Sequence, residues 1–168
     1  MLKSGMKWLR MGAFVALTVL APLSLRAAEG EKPVKRAYVA APAAKLGMTD
    51  AEVDAASNGC VSCHTDSDAK TMHLSQAVKL GCASCHGGDA TVTAPAGMAM
   101  NAPGYAALRD KAHVLPKYPK TWHYPSSANP KISYTLLNKE APEYIRFVNP
   151  SDYRVARQAC GPRHMELI

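Results

Sequence analysis

Residues 59–88 read "GCVSCHTDSDAKTMHLSQAVKLGCASCHGG" and hold four of the chain's five cysteines. They form two Cys-x-x-Cys pairs, Cys60/Cys63 and Cys82/Cys85, and His64 and His86 follow the pairs directly. A fifth cysteine, Cys160, opens "CGPRH", a copy of the same pattern in which Arg163 stands in the second cysteine position and His164 follows.

Cys-x-x-Cys-His is the attachment signature of c-type haem. Two thiols add across the two vinyl groups of a porphyrin edge, and two spacers let both sulfurs reach that edge from one turn of chain. The adjacent imidazole then reaches the iron. Cys60, Cys63 and His64 would hold one haem c, and Cys82, Cys85 and His86 another, with both histidines as axial ligands. Three other uses of paired cysteines compete. The 18 residues between the pairs fall in the range of a four-cysteine zinc site. Two redox dithiols or two plain disulfides in an exported chain are the others. None of them requires a histidine directly after both pairs.

The first residues favour export. Lys3, Lys7 and Arg10 precede the uncharged 15-residue run Met11 to Leu25, and "RAA" follows. This is the order of a secretory signal peptide, with cleavage near Ala27 or Ala28; the other reading is an uncleaved anchor, for which the run is short and interrupted by Pro22. Residues 1–27 are assigned to the signal, 28–48 to an extended linker and 49–168 to a cytochrome domain. Without residues 1–27 the formal charge falls from +7 to +3. That value, with no basic run, gives no case for nucleic acid.

The remaining chain is poor in large apolar side chains. Trp122 and Phe147 are the only tryptophan and phenylalanine beyond the signal. So little apolar volume makes a thin core unless a large apolar cofactor fills it.

The local signals are mostly helical. Thr49-Asp50-Ala51-Glu52 is a capping box that starts a helix toward Asn58 and delivers Cys60. Residues 72–80 form a second candidate helix ending at Gly81. Residues 87–130 carry many prolines and no sustained period. Pro142 and Pro150 each suit a first helical turn, with Asn149 as a cap for a helix over 151–159 that leads into Cys160. The fold class is mainly α with extensive coil, in the manner of a small multihaem cytochrome c with a haem-organised core.

Three histidines remain as second axial ligands: His73, His113 and His123. His73 lies between the motifs and is favoured by proximity. Met72, Met98 and Met100 are competing ligands that would raise the reduction potential. The 22-residue offset from Cys60 to Cys82 forces neighbouring haems, which suits electron conduction.

At these residues the sequence resembles multihaem cytochromes c of bacterial extracytoplasmic electron-transfer systems. "GCVSCHTDSDAKTMHLSQAVKLGCASCHGGDA" looks like the N-terminal haem pair of large members. "KAHVLPKYPKTWHYPSSANPKISYTLLNKEAPEYIRFVNPSDYRVARQACG" looks like the segment leading to their third motif. The resemblance implies sparse regular structure, His64 and His86 as proximal ligands, and His73 and His113 as distal ones. It implies redox protein partners, other multihaem cytochromes among them, in the periplasm or at the cell surface. Membrane contact would come only through an uncleaved signal. At Arg163 the chain departs from the family pattern, and four residues follow His164. It reads as the N-terminal portion of a larger member that holds two haems, with a third at Cys160 and His164 as the less favoured alternative. The expected function is electron transfer. The alternatives are a multihaem oxidoreductase fragment with an open catalytic iron and a zinc-binding secreted module.

Overall fold

The structure is a computed structural model that describes residues 31–42, 44–64, 75, 78–123, 129–131 and 133–164. The signal segment and His73 lie outside the described residues. The chain divides into two units, Met1–Pro33 and Val34–Ile168, and the second carries all five cysteines.

Seven short helices make up the second unit among the described residues: α1 (Asp50–Ala55), α2 (Asn58–Val61), α3 (Cys82–His86), α4 (Tyr105–Ala112), α5 (Pro142–Val148), α6 (Ala156–Ala159) and α7 (Gly161–His164). Two 3-10 turns, Pro119–Thr121 and Tyr134–Lys139, stand between α4 and α5. Extended pairing among the described residues is confined to one isolated antiparallel bridge, Trp122 to Pro130. The protein is mainly helical with long irregular connections. No helix among the described residues is long and apolar enough to cross a membrane.

Helix α1 begins where its capping box places it. The Thr49 hydroxyl accepts from the Glu52 amide at 3.3 Å, and the Glu52 carboxylate accepts from the Thr49 amide at 2.8 Å. Lys45 pairs with Glu52 as well, and these contacts hold the carboxyl down to about 2, with the Lys45 hydrogen bond the largest cause. The helix stops at Ala55, however, and Cys60 rides on the separate turn α2.

Other local expectations shift. Residues 78–80 are not helical, and most of the rest of the 72–80 candidate lies outside the described residues. Helix α4, by contrast, has no counterpart in the sequence reading. It buries no residue, so it carries no apolar stripe to betray it. Pro142 does open α5 at its first turn. The helix expected over 151–159 is shorter, starting at Ala156. Asn149 does not cap it, because its side-chain oxygen takes the Ser151 hydroxyl at 2.8 Å. Asp152 takes the turn instead: its backbone oxygen accepts from the Val155 and Ala156 amides, and its carboxylate from the Arg154 amide.

The larger core cluster gathers Val114, Trp122, Leu137, Tyr144, Ile145 and Val155. The Trp122 and Tyr144 rings lie 5.5 Å apart at their centroids. Glu140 is buried beside them, and its carboxylate accepts from the Lys117 amide (2.7 Å), the Tyr118 amide (3.0 Å) and Trp122 Nε1 (2.9 Å). Glu140→Ala leaves three donors without an acceptor. It is expected to cost about 3 kcal/mol, read as a lower denaturant midpoint. Glu140→Gln keeps one acceptor oxygen and should lose clearly less; equal losses would refute this account of the carboxylate.

The lead from Val34 is extended and fastened to the 115–117 segment. The Val34 amide donates to Lys117 O at 2.8 Å, Arg36 Nε to Pro116 O at 3.2 Å and the Tyr38 hydroxyl to Leu115 O at 3.0 Å. Further along, Ala44 and Met48 join Leu80 in a second cluster, against which Val53, Ala56, Val78 and Cys85 pack. This cluster, the one beside the cysteine motifs, is built mostly of small side chains.

Candidate haem-attachment site

Each motif occupies one helical turn. In the first, the Cys63 and His64 amides donate to Cys60 O at 3.1 and 2.9 Å. In the second, α3 spans the whole motif from Cys82 to His86. Residues three and four apart on a helix are surface neighbours, so both sulfurs and the imidazole of each motif share a face. That is the arrangement a single porphyrin edge and its iron require.

The spacer serines, Ser62 and Ser84, anchor the two turns. Ser62 Oγ donates to Gly59 O at 2.6 Å and accepts from the Ala94 amide at 2.8 Å. Ser84 is fully buried, with its hydroxyl 3.8 Å from Met48 Sδ. The residue before each motif is a glycine for lack of space. A Cβ on Gly59 would stand 2.2 Å from Ala90 O, and one on Gly81 would stand 2.3 Å from Ala56 Cβ.

The motifs cross at their first cysteines. The Ala83 amide donates to Ala56 O at 2.9 Å, and the Cys82 amide to Ser57 Oγ at 3.1 Å. The Cys60 and Cys82 side chains interact there, which holds the Cys60 pKa up and that of Cys82 down. Burial raises the Cys85 thiol, and nearby Cys160 adds to it. Although all five cysteines are described, no group of three or more His, Cys, Asp or Glu side chains among the described residues is placed to hold a metal ion.

Arg146 ties the second motif to α5. Its Nε donates to Cys85 O at 2.8 Å and its Nη2 to Ser84 O at 2.7 Å. The next residue orients the motif histidine: His86 Nδ1 lies 2.7 Å from Phe147 O. A carbonyl only accepts, so the proton sits on Nδ1 and the lone pair of Nε2 is left for a metal. Histidine ligands are commonly oriented through such a bond on their second nitrogen.

The His64 and His113 rings lie side by side, centroids 6.3 Å apart and planes tilted by 34°. His113 follows α4 directly, its amide donating to Arg109 O at 2.9 Å. Its Nδ1 is buried without a hydrogen-bond partner among the described residues. Burial, with the His64 ring second, holds its pKa down to about 4. A half-buried, neutral imidazole with one nitrogen unmet keeps a lone pair that a metal could take. Phe147 continues the row of rings, 4.9 Å from His113 and 6.4 Å from His86. The residues present thus fit the haem expected of them.

The other expected ligands lie elsewhere. His123 is exposed, its amide donating to Asn129 O at 3.1 Å. Met100 is 81% exposed. His164 is exposed on α7, where its amide donates to Cys160 O. Arg163 turns to the chain rather than to an acid: its Nη2 donates to Lys45 O at 2.6 Å and Lys79 O at 2.8 Å. The sequence reading passed over the site roles of Arg146 and Phe147. Their partners lie 61 residues away, and no local signal marks them.

Comparison with protein-family models, curated proteins and solved structures found no match.

Proposed function

We propose that this chain is an exported c-type cytochrome that carries two covalent haems and passes electrons between redox proteins of a respiratory or extracellular chain. Cys60 and Cys63 would hold the first haem and Cys82 and Cys85 the second, with His64 and His86 as proximal ligands. The carrying observation is the double Cys-x-x-Cys-His pattern, each copy folded into one turn with its thiols and imidazole on a common face. The row His64, His113, Phe147, His86 supports it by bringing the two motif histidines into one neighbourhood.

When bound, the haem supplies one-electron redox chemistry at iron. The chain orients the ligands: Phe147 O fixes the His86 tautomer, and Arg146 holds the end of α3. His113, whose ring lies beside that of His64, would be the further histidine to hold the first group. Were both histidines to hold the same group, no position would be left for a substrate, and the reading is therefore of a carrier rather than a catalyst. His73 remains a candidate for the second iron, and the periplasm or cell surface is the proposed location.

Intact mass with a pyridine haemochrome spectrum on the exported chain tests the reading. The expected result is two haems per chain, and a colourless protein of unmodified mass would end it. His113→Ala is expected to turn one of the two irons high-spin in the oxidised protein, read by absorption and electron paramagnetic resonance. Wholly low-spin spectra in that variant would remove His113 from the ligand set.

A further inference from the structure

Ser57 is fully buried and serves both motifs at once. Its backbone oxygen accepts from the Val61 amide at 3.0 Å, rooting the turn that carries Cys60. Its hydroxyl accepts from the Cys82 amide at 3.1 Å. The Ala83 amide donates to Ala56 O at 2.9 Å, and Gly81 leaves no room for a Cβ against Ala56. The start of the second motif is therefore clamped on the chain just before the first. With Ser57 one turn before Cys60 and bonded to the Cys82 amide, Cys60 and Cys82 come side by side, and their side chains interact. Cys63 is exposed at the other end of its turn, and Cys85 is half-buried against the Ala44, Met48 and Leu80 cluster with Cys160 nearby.

We propose that the haem-free chain forms a disulfide between Cys60 and Cys82, across the two motifs rather than within either. The oxidant is a protein or small-molecule disulfide. One thiolate attacks a sulfur of that oxidant, giving a mixed disulfide and releasing one thiol. The second thiolate then attacks the mixed disulfide. One Cys60–Cys82 sulfur–sulfur bond forms, the oxidant's bond breaks, and two electrons and two protons leave as two thiols. An exported chain meets such oxidants as it folds. The bond takes one thiol from each motif, so a single oxidation closes both attachment sites and a thiol reductant must reopen them. The pairing itself is independent of the haem reading; only this consequence rests on it.

The test uses the full chain made without haem in a reducing cytosol, then equilibrated with oxidised and reduced glutathione, alkylated and digested with trypsin. Cleavage after Lys45, Lys70, Lys79 and Arg109 separates the first motif from the second. The expected result is a cross-linked pair of the 46–70 and 80–109 peptides as the main disulfide product. It should persist in Cys63→Ser/Cys85→Ser and vanish in Cys60→Ser/Cys82→Ser. Pairing within a motif, pairing of Cys85 with Cys160, or loss of the cross-link in Cys63→Ser/Cys85→Ser overturns the proposal. Haem content of the exported chain is measured alongside. Two haems with no cross-link defeats the disulfide alone, whereas a cross-link with no haem under any reducing condition defeats the haem reading and upholds the pairing.

Discussion

Exported Cys63→Ala/Cys85→Ala protein is expected to hold less than one covalent haem per chain instead of two, and to lose most of its thermal stability. Each motif would keep a single sulfur, at Cys60 or at Cys82, and a single thioether leaves the porphyrin edge held at one point. The loss of stability follows from what surrounds the motifs. The cluster beside them consists of Ala44, Met48 and Leu80, with Val53, Ala56, Val78 and Cys85 packed on it. So few large side chains bury little apolar area, at about 25 cal/mol for each Å² removed from water. A porphyrin adds far more apolar surface than any side chain there, so its attachment and folding should be coupled, as metal binding and folding are in small metal-dependent domains. Haemochrome stoichiometry and a thermal melt measure both effects. A double variant that still carries two haems and melts like the parent chain would refute the assignment of the motifs.

Gly59→Ala is expected to cost about 3 kcal/mol, the upper end for overpacking a well-packed site. The added Cβ would lie 2.2 Å from Ala90 O and 2.5 Å from Val92 O. These are backbone atoms, so no rotamer change relieves the overlap. The Gly59 amide also donates to Ala90 O at 2.8 Å, and moving the chain apart breaks that bond. Because Cys60 is the next residue, the shift would displace the first thiol and lower haem incorporation at that motif. Gly81→Ala meets a side chain first, Ala56 Cβ at 2.3 Å. Adding Ala56→Gly should therefore restore part of its stability, whereas the same partner change should do nothing for Gly59→Ala. Denaturant midpoints of the four variants decide the matter. A Gly59→Ala protein within about 0.5 kcal/mol of the parent, the range of an ordinary surface change, would show that the close approach is not maintained in solution.

What the sequence determined alone is what lies within a few residues of itself. The Cys-x-x-Cys-His spacing is a covalent fact, and one helical turn is enough to bring its three reactive groups to a common face. The Thr49/Glu52 box and the Pro142 start are of the same kind, because their partners lie in the same first turn. The mainly helical class with long coil also followed from local composition. What only the tertiary structure decided depends on residues far apart in the chain. His113 rather than His123 stands against His64. Ser57 and Gly81 cross the two motifs, and Phe147 O chooses the tautomer of His86. Arg163 spends its charge on the carbonyls of Lys45 and Lys79. Each of these is a choice among chemically equivalent residues, settled by packing across 25 residues or more, and no periodicity or cap signals such a contact. Helix α4 escaped notice for a related reason: it buries no residue, so no pattern of apolar side chains announces it.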